Sequence, residues 1–290
     1  MKVLVSGADG QLGTDVVSLF REAGHTVIAC NRETLDITDQ FTSLMLLKES
    51  KPDTVIHCAA FTAVDLAEKE VDAAYTVNAV GTRNMVYASE QIGAKFCYIS
   101  TDYVFDGFSE SPYHEYDNTN PLTVYGKSKR AGENMVQSLS SAYFIVRTSW
   151  VYGLHGKNFV KTMLRLAEEK TEIKVVNDQK GSPTYSVDLA KFLLELVETE
   201  KYGIYHASNS GICTWYEFAT AIFEEAESVT GRRYDVRICP CTTEEFPLPA
   251  PRPRNSVMSH LLIKSNGLKE LRFWREGLRD FLKEVLLVSK

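Results

Sequence analysis

Five short apolar runs, set apart by amphipathic helical patterns, constrain this 290-residue chain more than any other feature. Residues 3–5, 26–28, 54–56, 96–99 and 144–146 are apolar on both faces, as strands of a sheet covered on both sides must be. Between them, residues 12–23, 41–50, 71–93 and 121–139 carry helical periodicity, and Gly24 and Gly93 mark two helix ends. Strand–helix–strand repetition at this spacing gives right-handed crossovers. The expected fold class is therefore α/β, a doubly wound parallel sheet of Rossmann-like form. After about Trp150 the rhythm loosens. Helices are expected at 158–170, 186–199, 214–226 and 274–288, with strands at 173–176 and 203–206. The five-proline stretch 240–253 is expected to be a loop throughout, and long loops of this kind usually serve binding. This second part is expected to form a smaller C-terminal α/β lobe.

Composition removes several classes of function. With 32 Lys+Arg against 38 Asp+Glu, the net charge of -6 and the lack of a basic stripe argue against a nucleic-acid partner. No run approaches the roughly 20 apolar residues of a membrane helix, and the start of the chain lacks the longer apolar region of a signal peptide. No membrane partner is expected, and the protein is read as cytoplasmic. The six cysteines are scattered. Only Cys239-Pro-Cys241 forms a close pair, and no second Cys/His pair at zinc spacing accompanies it.

Directly after the first strand stands Gly7-Ala8-Asp9-Gly10-Gln11-Leu12-Gly13, opening a helix. In such a G-x-x-G-x-x-G run the first glycine permits a tight turn, the second lets amides approach a pyrophosphate, and the third lets the helix pack close to the sheet. The helix N-terminus adds free N–H groups and positive dipole. A dinucleotide is the expected cofactor, held by Gly7, Gly10, Gln11 and Leu12. Where the second strand ends, an acid would favour NADH. The chain has Cys30-Asn31-Arg32 instead, and an Arg there accommodates a 2′-phosphate. NADPH is favoured, with NADH still possible, and Asn31, Arg32, Asp36 and Ile37 are placed around the adenine end. Residues 1–150 are accordingly read as the NAD(P)-binding domain, with about 175–206 returning to it. Residues 151–290 are read as mainly a substrate-binding lobe.

Tyr125-Gly126-Lys127-Ser128-Lys129 has the form Y-x-x-x-K, with Tyr125 and Lys129 on one helix face. A free phenol, with a pKa near 10, holds its proton too tightly for acid catalysis at neutral pH. A neighbouring ammonium lowers that value and makes the phenol a usable acid for a ketone receiving hydride. Thr101, at the carboxyl end of the strand containing Ile99, lies where a parallel sheet opens its ligand crevice and can donate to the same oxygen. His57 and Cys58 close an apolar run and are read as packing.

Together, the Gly7 to Gly13 run, Ser100-Thr101 and the Tyr125/Lys129 pair resemble the extended short-chain dehydrogenase/reductase family. The runs at 62–65, 100–105, 147–152, 158–163 and 178–184 are similar to those of its nucleotide-sugar reductase branch, and the likeness covers essentially the whole chain. The resemblance implies hydride transfer from NAD(P)H to the 4-keto carbon of a dTDP-linked 6-deoxyhexulose, in the supply of cell-surface or spore-type polysaccharide. It further implies that Tyr125 protonates the new oxygen, that Lys129 tunes Tyr125 and holds the nicotinamide ribose, and that Thr101 orients the ketone. Ala59 and Ala60 would line the cofactor's centre. Asp102, Asp65 and Trp150 would face the sugar, and Arg252 would clamp the diphosphate, in preference to Arg254. Trp150 fits the core equally, and Asn78 fits either a water relay or a polar helix face. Asp9 stands where the family more commonly has Asn. Some members hold Mg²⁺ with acidic residues at a dimer contact. No full set is matched here, so no metal ligand is expected, and both monomer and homodimer stay open. Two alternatives remain: a non-catalytic dinucleotide-binding subunit like that regulating methionine adenosyltransferase, or another nucleotide-sugar reductase or epimerase.

Overall fold

The structure is a computed structural model that describes residues 1–288. Strands β1 (Lys2–Ser6), β2 (Thr26–Cys30), β3 (Thr54–His57), β4 (Lys95–Thr101) and β5 (Tyr143–Thr148) join the Gly203–His206 strand in one six-stranded sheet. All its pairings are parallel, in the order Gly203–His206, β5, β4, β3, β1, β2. The fold is α/β with both sheet faces covered, and alternation along the strands decides which side chain goes where. Val3, Val5, Phe144 and Val146 pack under the Gln11–Glu22 and Ser186–Val197 helices. Leu4, Val55, Phe96 and Ile145 pack under the Gln40–Ser50, Thr82–Glu90 and Val124–Leu139 helices.

Chain order reverses direction across β1 and β3, so the turns after these strands open a crevice at their carboxyl ends. Beyond the sheet, Tyr152, Phe218, Trp274 and Phe281 build a second apolar core among the Phe159–Glu169, Trp215–Thr230 and Trp274–Lys283 helices.

Three departures from the sequence reading have local causes. The expected helix at 71–93 is Val71–Tyr75, a π-helical turn over Thr76–Gly81, and Thr82–Glu90. Such π-turns insert a residue into the helical ladder and are frequent at functional sites; this one holds Asn78. The helix expected from 121 begins at Val124, because Thr123 caps it by accepting from the Gly126 N–H at 3.0 Å. The loop expected over 240–253 begins later than its prolines suggest. Pro240 lies inside the Arg237–Cys241 strand, which pairs in parallel with Glu172–Val176. That ladder has only two strands, so Pro240 sits on an edge, where a missing N–H is tolerated.

The Val124–Leu139 helix is braced against the sheet by charge as well as by apolar contact. Glu133 is fully buried and accepts two hydrogen bonds from the guanidinium of Arg147 on β5, both at 2.9 Å. The Ser100 hydroxyl on β4 donates to the same carboxylate at 2.6 Å. Removing one member of a buried pair strands the other charge, which costs about 3–5 kcal/mol. Glu133→Ala should therefore lose about that much in urea unfolding. A loss below about 1 kcal/mol, the worth of an exposed pair, would contradict the bracing role.

Candidate active site

Gly7 leaves β1 with a φ of +66°, and a Cβ there would lie 2.7 Å from the Ala59 backbone nitrogen. A Cβ on Gly13 would lie 2.1 Å from the Gly7 carbonyl oxygen. Only glycine lets these three chain segments meet, and the meeting places the start of the Gln11–Glu22 helix at the crevice. No side chain caps that helix. The first N–H groups of a helix have no partner within it, so those of Gln11 and Leu12 are directed at the crevice mouth. This cradle suits a pyrophosphate. Leu12 itself is buried and Asp9 is exposed.

The Gln11 side chain reaches the second lobe. It donates to the Val151 carbonyl at 2.9 Å and accepts from Asn158 Nδ2 at 3.0 Å. At the end of β2, Arg32 is exposed, while the Asn31 side-chain oxygen accepts from the Glu33 and Thr34 backbone N–H groups and holds that turn. Asp36 accepts from the Thr38 N–H and hydroxyl, which hold its carboxyl below the usual range. The Ile37 side chain is buried against Gly81, so only its backbone can line a ligand. Ala59 and Ala60 follow β3 and are half-buried.

Across the crevice, Thr101 ends β4 and Tyr125 begins the braced helix. Lys129, one turn further on, is buried and donates to the Ile99 carbonyl at 2.7 Å, its ammonium 4.1 Å from the Tyr98 ring centre. Burial lowers its pKa to about 7, against an upward pull from Glu133.

The sequence reading expected Lys129 to pull the phenol down. In the structure, burial instead pushes Tyr125 up to about 12. Thr101 pulls it down, and Asp102, not Lys129, supplies the charge acting on it. The Lys129 ammonium is engaged with the Ile99 carbonyl, and Tyr125 stacks edge-on with Tyr103, ring centres 5.5 Å apart.

Asp102 is buried beside these groups, and burial raises its carboxyl to about 6. His57 lies behind them in contact with Ser6 Oγ and Thr82 Oγ1, at 2.7 and 3.2 Å. Burial, with the Lys129 charge adding to it, lowers its pKa to about 3 and leaves it neutral. The Cys58 thiol is pushed up to about 12 by burial.

The remaining expected residues divide. Asp65 and Arg252 are paired with each other, Nη2 to Oδ2 at 2.7 Å. Trp150 takes a positive φ of 50° and stacks on Trp215, ring centres 3.6 Å apart. Gly181 lies under its ring so closely that a Cβ would come within 2.5 Å. Asn78 clamps the Phe61 backbone from both sides, accepting from its N–H at 2.7 Å and donating to its carbonyl at 3.1 Å. It also donates to the Ser128 hydroxyl at 2.9 Å, which ties the loop after β3 to the Tyr125 helix.

Sequence reading missed the Glu133–Arg147–Ser100 brace. Its signals were present: Glu133 is four residues beyond Lys129 on the same helix face, and Arg147 interrupts an otherwise apolar strand. Among the described residues, no group of three or more His, Cys, Asp and Glu side chains could hold a metal ion. No described helix is long and apolar enough to cross a membrane.

Comparison with known proteins gives one consistent likeness. The family described as RmlD substrate binding domain matches residues 1–287. A spore coat polysaccharide biosynthesis protein, SpsK of Bacillus subtilis, is 48% identical over 98% of this chain and 97% of its own. The dTDP-4-dehydrorhamnose reductase of Aggregatibacter actinomycetemcomitans is 40% identical over 96% of this chain and 97% of its own. The crystal structure of dTDP-4-dehydrorhamnose reductase from Bacillus anthracis, in complex with NADP, superposes with a TM-score of 0.94. It shares 46% identity over 98% of this chain and 99% of that one.

The buried Lys129 gives a pH signature. Its folded pKa near 7 lies below the ordinary 10.5, so between these values the unfolded chain binds the extra proton. Stability then rises with pH by up to about 1.4 kcal/mol per unit. Lys129→Met should lack this part of the rise when urea unfolding is compared at pH 7.5 and pH 9. An identical rise in both proteins would mean that Lys129 is not held in a desolvated position.

Proposed function

Because the chain belongs to the RmlD substrate binding domain family, we propose that it reduces the 4-keto group of dTDP-4-dehydro-L-rhamnose to give dTDP-L-rhamnose, using NADPH in preference to NADH. Relatives along the whole chain carry the reductase name, and one relative serves spore coat polysaccharide. The observation that carries the reading is the meeting of Thr101 with Tyr125 across the crevice that the glycine cradle opens. When bound, the reduced nicotinamide supplies a hydride to the carbonyl carbon.

This chain's residues do the rest. Gly7, Gly10 and the amides of Gln11 and Leu12 bind the pyrophosphate, with Asn31, Arg32, Asp36 and Ile37 at the adenosine and Ala59 and Ala60 along the centre. Arg32 meets the 2′-phosphate. Lys129 holds the nicotinamide ribose, Thr101 orients the ketone, and Tyr125 gives its proton to the developing alkoxide. Asp65, Asp102, Trp150 and Arg252 face the sugar nucleotide. Residues 1–150, with about 175–206, carry the dinucleotide. This is supported by the Ser186–Val197 helix packing beside Gln11–Glu22 and by Gly203–His206 joining the sheet. Residues 151–290 mainly carry the sugar, in a cytoplasmic monomer or homodimer.

The deciding assay is NADPH oxidation with the dTDP-4-keto sugar generated in place by a 3,5-epimerase. Turnover that depends on the sugar supports the reading. Dinucleotide binding with no turnover would favour a regulatory subunit. Tyr125→Phe should keep dinucleotide affinity and lose roughly 10²–10⁴ in kcat, the worth of a general acid; unchanged turnover would remove its role. Loss of a charge-assisted contact is worth about tenfold or more. Arg32→Ala should thus raise the KM for NADPH by about that factor and spare NADH, whereas equal losses would reverse the cofactor preference.

A further inference from the structure

Thr101 has one hydrogen, and the structure commits it away from the crevice. Its hydroxyl donates to Asp102 Oδ1 at 2.9 Å and accepts from the Tyr103 backbone N–H at 3.2 Å. A hydroxyl has one donor and two acceptor sites. In this arrangement Thr101 can only accept from a third group, so it offers nothing to a ketone oxygen and instead invites the Tyr125 hydrogen. Asp102 is 3% exposed, and its Oδ2 has no hydrogen-bond partner in the protein.

We propose that Asp102 is a positioning residue that sets the direction of the Thr101 hydroxyl. Protonated, it gives its own hydrogen to Thr101 Oγ1 and frees the Thr101 hydrogen for the ketone; ionised, it keeps that hydrogen. The switch is the loss of one proton from the Asp102 carboxyl to solvent; the Thr101 hydrogen stays covalently on its own oxygen, and only the direction of the Thr101–Asp102 hydrogen bond reverses. With the carboxyl neutral, Thr101 and Tyr125 both point hydrogens at the oxygen where negative charge develops, as electrostatic stabilisation requires. With it charged, both hydrogens turn away. The proposal rests on the reading in which these two residues serve the ketone.

The surroundings favour the neutral form more than a surface site would. Burial is the main cause of the raised carboxyl pKa, about 6. The groups facing Asp102 are Thr101 and Tyr103 on its own segment, Tyr125 on the helix and Ser256 on the proline-rich segment. The Asp65–Arg252 pair stands behind Tyr103. Ser256 pulls the carboxyl pKa down, although its hydrogen is directed to the Lys180 carbonyl at 3.3 Å.

The test is the pH dependence of kcat from pH 5.5 to 9, with NADPH and the dTDP-4-keto sugar saturating. Wild-type kcat should fall by about 100-fold as pH rises from about 6 to 8, the worth of one oxyanion donor. In Asp102→Asn, which cannot ionise, the break near pH 6 should be absent, and kcat should begin to fall only about one unit higher, where Lys129 titrates near 7. A purely structural role would scale kcat down equally at every pH and leave the break in place, which would overturn the proposal. Ser256→Ala keeps the carboxyl and removes the group that lowers its pKa. Its break should move to higher pH, and an unmoved break there also overturns the proposal, even if Asp102→Asn does not fold. A wild type that never turns over refutes the reductase reading itself; a wild type that turns over with the break unchanged in the variants refutes only the switch.

Discussion

The buried contact between Glu133 and Arg147 fixes the one helix that everything in the crevice depends on. Tyr125, Lys129 and Glu133 lie four residues apart along a single face. Holding Glu133 to β5 and to Ser100 of β4 therefore sets where the other two stand. Apolar packing alone would allow the helix to slide or roll by fractions of a turn. A bidentate guanidinium–carboxylate pair has directional geometry that does not. The Ile99 carbonyl adds a second fixed point by binding the Lys129 ammonium on the same strand that ends in Thr101.

Burial and short-range hydrogen bonds set the protonation and direction of each group in the crevice. Tyr125 is more basic than a free phenol, Lys129 is close to neutrality, and the Thr101 hydrogen is turned to Asp102. Each state comes from desolvation or from a local hydrogen bond, and a ligand that brings charge or a carbonyl oxygen into the crevice acts on all three. The two lobes are also tied across that crevice. Gln11 bridges the phosphate cradle to Val151 and Asn158, and Arg252 bridges the proline-rich segment to Asp65. In the proposed reaction these ties place a dinucleotide bound at one end within reach of a sugar held at the other.

Much of this was legible in the sequence because it rests on local patterns. Apolar runs on both faces declared the parallel sheet, and three glycines at fixed spacing declared the cradle, since only a missing Cβ lets Gly7, Gly13 and Ala59 approach as they do. The pairing of distant charges was not legible. Asp65 and Arg252 read singly as ligand-facing residues, Glu133 and Arg147 drew no separate reading, and nothing local tells that each has another as partner. The direction of the Tyr125 shift was misread for a related reason. Spacing put an ammonium nearby, but the balance between that charge and burial depends on packing from β4 and the loop after it. Pro240 in an edge strand and the π-turn around Asn78 are likewise tertiary choices that override local preference.

The central claim is that hydride reaches the C4 carbon of the sugar on the crevice side where Tyr125 and Thr101 meet its oxygen. Single turnover with NADPH carrying deuterium at the transferable position, followed by NMR of the sugar nucleotide, tests it most directly. The account predicts deuterium bound to C4 of a single product epimer, dTDP-L-rhamnose. Deuterium at another carbon, a mixture of C4 epimers, or oxidised dinucleotide with no label in the sugar would contradict it.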